Sequence, residues 1–255
     1  MRTCAFCAAE AKLSGEHIWD SWITQSYAEI GLTDFQFNDY DRHGQSLRSY
    51  DDNKIDKRAK VVCERCNNEW MSDLTGEMKQ VAEQMIVRGT EKHLTSPDLT
   101  VISQFAFLKA VVLDCLTRDR EPFWSMDARH AFRKRRQMPD GVQVWISSLF
   151  ERHAEGRVWS GYAQPTNAWI GFEFYTFTYV VGCLVLQLIG KQWTDGSNKI
   201  RPTFRQNSYW DPVTTEIWPA PIPVHWPLPK VLNLSALSPP FRDRWLFLEV
   251  PKSML

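Results

Sequence analysis

Apolar positions along this chain follow three different rhythms. Behind Asp20, a residue suited to cap a helix, Trp22, Ile23, Tyr27 and Ile30 share one helical face. Residues 34–60 are polar and charge-rich, which predicts loop with short strands. Trp70, Leu74, Met78, Val81 and Met85 then repeat at helical spacing, predicting a helix from Cys66 or Asn67 that Gly89 ends. Thr95-Ser96-Pro97-Asp98 marks a boundary. Beyond it, residues 99–118 read as a buried helix through Ile102, Phe105, Leu108, Val112 and Cys115, and a basic helix follows Ser125. From Val142 the period shortens to two, so residues 142–148, 157–164 and 169–190 predict strands. The remainder, from Lys191, is rich in Pro and Trp and should wrap the sheet in extended conformation. The fold class expected is α+β, with an N-terminal domain over 1–95 and a mixed helix and antiparallel-sheet domain over 96–255.

The run at 169–190 is about as long as a membrane span. It carries Glu173, Thr176, Thr178 and Gln187 among aromatic and β-branched residues, so two adjacent buried strands explain it better than one spanning helix. No signal peptide is visible, and a cytoplasmic protein without membrane contact is expected. Lys plus Arg number 30 and Asp plus Glu number 30, so any surface for nucleic acid has to be local. The 12 Trp exceed the needs of a core of this size, and some could meet a ligand or partner. Those beyond residue 158, among them Trp159, Trp169, Trp210, Trp218, Trp226 and Trp245, favour packing, with base stacking or a protein partner as a minority role.

Cysteine spacing carries the first specific chemistry. Cys4 and Cys7 form one Cys-x-x-Cys, Cys63 and Cys66 another, while Cys115 and Cys183 stand alone in apolar surroundings. Two such knuckles complete a tetrahedral four-thiolate site, so structural Zn²⁺ is expected, outweighing a redox dithiol. The ion should hold together an N-terminal region with little core of its own. Cys115 and Cys183 read as small buried hydrophobes.

Between the knuckles lies Ser14-Gly15-Glu16-His17-Ile18, and the second knuckle runs directly into Asn67. In this combination the first 80 or so residues resemble the HNH nuclease family, the ββα-metal or His-Me finger group. The resemblance implies an N-terminal ββα-metal domain stapled by Cys4, Cys7, Cys63 and Cys66. It implies that His17 activates water against a phosphodiester, and that Glu16 and Asn67 hold a catalytic divalent ion, Mg²⁺ or Mn²⁺. Two departures stand out. No Asn or His precedes the second knuckle where the family usually has one, and the interval from His17 to Asn67 is long. Adjacent strand residues also face opposite ways, so Glu16 and His17 can serve one centre only through local distortion or a backbone contact.

The function expected is therefore a metal-dependent endonuclease, with DNA as the favoured nucleic acid and bacterial defence or restriction as a setting by family likeness. The alternative is a non-catalytic zinc module that binds nucleic acid or a protein partner, and the C-terminal domain offers a surface for such a partner or a homodimer. Acidic residues outnumber basic ones in the first 96 residues, so phosphate contacts must come from clusters: Lys57, Arg58, Lys60 and Arg65 near the site, and Arg133 and Arg136 on the basic helix. A solvated helix face explains the last two about equally well. His43, His93, His130, His153 and His225 have no ligand-like spacing and read as structural or exposed.

Overall fold

The computed structural model describes residues 2–40, 46–116, 121–149, 156–163, 172–193, 203–206, 213–229 and 246–249. Trp169, Trp210, Trp245, His43 and His153 lie outside them.

The chain begins with a short ribbon, β1 (Arg2–Thr3) and β2 (Glu10–Ala11), that frames the first knuckle. Strand β3 (Leu13–His17) leads into α1 (Ser21–Glu29), which Asp20 precedes in extended conformation. The polar stretch after α1 contains a hairpin, β4 (Phe35–Tyr40) and β5 (Ser46–Asp52), as the sequence suggested. Strand β6 (Arg58–Cys63) then pairs antiparallel with β3.

A helical stretch kinked at Glu69 follows: α2 (Glu64–Cys66), a wider π-type turn (Asn67–Met71), and α3 (Ser72–Arg88). It starts two residues earlier than the apolar spacing predicted, because Cys63 caps it by accepting from the Cys66 amide. Gly89, at φ 63°, ends it as expected. Strand β7 (Lys92–Leu94) precedes α4 (Ser96–Asp114), which opens with a reciprocal cap between Thr95 and Asp98. Helix α5 (Met126–Arg135) carries the basic run.

The period-two segments form β8 (Gln143–Ser148), β9 (Gly156–Ala163), β10 (Phe172–Val181) and β11 (Leu184–Trp193). Beyond them lie β12 (Thr203–Gln206), β13 (Thr214–Trp218), β14 (Val224–Trp226) and β15 (Leu246–Glu249). One antiparallel sheet runs β13-β8-β11-β10-β9. The apolar run breaks into two paired strands at Gly182, which sits at φ 53° where an added Cβ would overlap the Ile86 carbonyl oxygen. The extended tail returns to the N-terminal half, since β14 pairs with β7.

Helix α4 is apolar on nearly all sides, with a mean hydropathy of 1.3 over a window of membrane-spanning length. It is the central core helix, and Leu99, Ile102, Phe105, Leu108 and Val112 are fully enclosed. Tyr175 on β10 donates to the Ala110 carbonyl at 3.1 Å, and Phe105 meets Tyr179 edge-on. The expected boundary at 95–98 thus coincides with the start of an element that both regions share. One apolar cluster runs from Cys4 through Leu108 to Trp226. The N-terminal region consequently has more core than its sequence suggested.

Many of the tryptophans serve this packing. Phe6 in the first knuckle meets Trp70, Trp70 meets Phe132, Phe132 meets Phe107, and Phe107 meets Trp124, each edge to face with centroids 4.8–5.8 Å apart. Trp124 enters the sheet where Gly190 leaves it room. Trp226 is buried as well, and Trp218 packs partly buried against the core.

Candidate functional site

The ribbon β1–β2 and the junction of β6 with α2 bring four sulfurs together. Those of Cys4, Cys7, Cys63 and Cys66 all lie within 4.8 Å of one another, and Cys7 Sγ is 3.6 Å from Cys63 Sγ. Thiolates around one zinc at about 2.3 Å would sit about 3.8 Å apart, so the cluster fits a tetrahedral ion. The knuckle loop turns back through Ala8, at φ 57°, whose amide donates to the Cys4 carbonyl. The Cys63 amide donates to Cys4 Sγ at 3.2 Å. Hydrogen bonding from Cys66, then from this amide and its neighbours, pulls the Cys4 thiol well down towards the thiolate that a metal needs. A buried guanidinium fixes the same loop to α5, because Arg129 Nη1 donates to the Ala5 carbonyl at 2.8 Å and lies 3.3 Å from Cys115 Sγ. That contact raises the question of Cys115 reactivity, and burial settles it by pushing the thiol up to about 11.

The clamped knuckles hold one end of the β3–β6 pair, and the other end carries His17. Leu13 pairs with Cys63 and His17 with Arg58. Between them the register slips, with Lys60 and Val61 facing Gly15 alone, which is a bulge on β6. Gly15 is small for a local reason. An added Cβ would come within 3.1–3.2 Å of the Arg58 stem, which crosses the strand there.

Alternation along β3 separates the two residues that the sequence joined. Glu16, 4% exposed, faces inward, while His17 is only partly buried on the outer side. His17 Nδ1 lies 2.9 Å from Asp56 Oδ1. Arg58 donates to the same carboxylate from Nε at 2.9 Å and from Nη2 at 2.8 Å. The Arg58 guanidinium holds the Asp56 carboxyl below its ordinary value, and His17 adds to this. The contact is a close approach rather than an aligned hydrogen bond, and it sets the imidazole directly beside a carboxylate.

Glu16 meets a different partner. Lys109, from the middle of α4 and 2% exposed, donates to Glu16 Oε1 at 2.7 Å, to Asp20 Oδ1 at 2.8 Å and to the His17 carbonyl at 2.8 Å. Burial works against the charge on Lys109, yet Asp20 and Glu16 outweigh it and raise the ammonium above its ordinary value. Burial pushes the Asp20 carboxyl up in spite of that ion pair. The resemblance implied a divalent-ion ligand at Glu16, and the structure places a buried ammonium on that carboxylate. Asn67 opens the π-type turn, half-buried, directly after the second knuckle.

The basic residues expected to meet phosphate are mostly committed within the protein. Arg58 is on Asp56, and the exposed Arg65 pairs with Glu69 one turn on. Lys57 accepts the Ile18 amide through its carbonyl, continuing the β3–β6 pairing. Arg136 reaches the Trp70 carbonyl and Glu77, with its guanidinium over the Trp70 ring. Arg133 is half-buried, and Lys60 is exposed on the bulge.

Sequence reasoning missed Asp56 and Lys109 and read Asp20 only as a helix cap, whereas its side chain makes no cap hydrogen bond and meets Lys109 instead. Asp56 carried a weak signal: it stands two positions before Arg58, so an extended chain puts both on one face. Lys109 carried a clearer one, as a lysine inside an otherwise apolar helix needs a buried partner. Comparison with protein-family models, with curated proteins and with solved structures finds no match to this chain.

Proposed function

We propose that this protein is a hydrolase of phosphodiester bonds in nucleic acid, most naturally DNA, built on an HNH-like ββα unit whose fold is held by zinc. The observation that carries this reading is the contact of His17 with Asp56 at the outer end of a strand pair whose inner end is clamped by four cysteines. His17 acts as the general base that takes a proton from the attacking water. Asp56 positions the ring and supports the positive charge that forms on it. Arg58, held on Asp56, and Lys60, exposed on the bulge, supply positive charge near the phosphoryl oxygens. Asn67 lies on the helix that follows β6 and offers an amide to the substrate phosphate. The two paired strands followed by a helix, with His17 ending the first strand and Asn67 one turn into the helical stretch, support the family likeness.

The test is cleavage of supercoiled plasmid by zinc-loaded protein across a series of divalent ions. His17→Ala should abolish nicking while zinc content and melting temperature stay as in the wild type. A loss on the order of 10²–10⁴-fold is the scale expected for a general base. Undiminished cleavage by the purified variant removes His17 from the chemistry.

A second reading has its own observation. Arg58, Arg65 and Arg136 already pair with acidic side chains, which suits a zinc-held scaffold for a protein partner. Binding without cleavage under every metal condition, unaffected by His17→Ala, would select it.

A further inference from the structure

Three oxygens converge on Lys109 Nζ from three positions around the turn between β3 and α1: Glu16 Oε1, the His17 carbonyl and Asp20 Oδ1, all at 2.7–2.8 Å. The ammonium also lies 5.2 Å from the centre of the Phe105 ring. A fourth oxygen, Asp20 Oδ2, is buried in the same place without a hydrogen-bond partner. Two carboxylates and a carbonyl around one centre are the donor set of a hard cation, and Mg²⁺ or Mn²⁺ is commonly bound in this way. Here the centre is filled by a side chain that the tertiary fold delivers from 92 positions away.

We propose that Lys109 is the resident cation of this site: its ammonium occupies the position a divalent ion would take between Glu16 and Asp20, and it positions His17 through that residue's carbonyl. The site therefore has no place for a divalent ion at Glu16 while Lys109 is present, and removing the lysine creates one. Charge compensation by a tethered ammonium has a physical advantage, since the cation cannot dissociate. A point charge on a flexible stem also tolerates three donors in an irregular arrangement better than the near-octahedral shell of Mg²⁺ does. This proposal rests on the hydrolase reading only for what His17 does once positioned; the occupancy of the site stands apart from it.

The experiment uses zinc-loaded full-length protein with Mn²⁺ as the probe. In the wild type, millimolar Mn²⁺ should leave the melting temperature unchanged and should not broaden the NMR signals of the Glu16, His17 and Asp20 amides. Lys109→Ala leaves two buried carboxylates and an open space, and should melt about 10 °C lower. Mn²⁺ should restore a large part of that loss. Lys109→Met, which fills the space without a charge, should melt low and ignore Mn²⁺. Adding Glu16→Gln to Lys109→Ala should abolish the rescue.

Broadening of those amides in the wild type, or a wild-type melting shift that Glu16→Gln removes, overturns the proposal. So does a folded Lys109→Ala protein that is indifferent to Mn²⁺. If Lys109→Ala fails to fold without the ion, refolding in Mn²⁺ decides: recovery of the native spectrum supports the site, and failure counts against it. Neither readout involves cleavage, so a wild type that cuts no nucleic acid counts against the hydrolase reading and not against the resident lysine.

Discussion

His17 and Asp56 face each other at the edge of the β3–β6 pair, with Arg58 as the second partner of the carboxylate. This small cluster has a defined acid response. Asp56 has a lowered value in the folded chain, so the folded state binds its proton less readily than the unfolded state does. The stability it contributes is present above the unfolded value of about 3.9 and is lost as pH falls from there through the lowered folded value. Asp56→Asn should therefore unfold at lower urea concentration than the wild type at pH 6. The difference should shrink steadily between about pH 4 and pH 2. A difference that persists unchanged at the acid end would separate Asp56 from any charge-dependent role.

Elements meet here through close approaches that tolerate little extra volume. Trp124, fully buried, lies over Gly190 in β11, and an added Cβ would overlap the six-membered ring of the indole. Gly190→Ala should cost about 1–3 kcal/mol, the usual scale for overpacking a filled core. Urea denaturation with an unchanged slope would verify that the fold survives while Trp124 is displaced. Near-ultraviolet circular dichroism should report the displacement directly. The bulge on β6 works at the same scale. By setting two residues against Gly15 it shifts the register, so Arg58 rather than Ala59 faces His17.

For the molecule as a whole, the four-cysteine cluster lies at the edge of a continuous core. Phe6 of the first knuckle begins the line of edge-to-face aromatics, and Arg129 ties the same knuckle to α5. Metal binding is folding free energy in such sites, so its effect should reach well beyond the knuckles. Elemental analysis should find one zinc per chain. Chelation should lower the melting temperature by about 10 °C or more, and Cys66→Ser should do the same without chelator. Proteolysis should then enter first at residues 4–9 and 58–66, where the ion joins two distant stretches of chain. Retention of full stability after zinc loss would mean that the aromatic line and Arg129 suffice to close this end.

The sequence by itself determined what depends on neighbours along the chain. Apolar spacing placed α1, α3 and α4, and alternation placed β8, β9 and the two strands of the apolar run, because periodicity is a local property. Paired Cys-x-x-Cys spacing identified the metal cluster for a similar reason, since each knuckle presents two sulfurs within one turn. Partners joined across the chain were decided only in three dimensions. Glu16 and His17 are adjacent in sequence, yet strand alternation sends one to a buried lysine and the other to a half-buried aspartate. Which carboxylate served His17 depended on the register of two strands separated by forty intervening residues, and on a bulge within it. Lys109 depended on α4 packing across the turn after β3, a long-range contact that no local spacing encodes. For the same reason spacing alone does not show that both sides of 95–98 bury apolar faces against one helix, so that a contiguous core crosses that boundary.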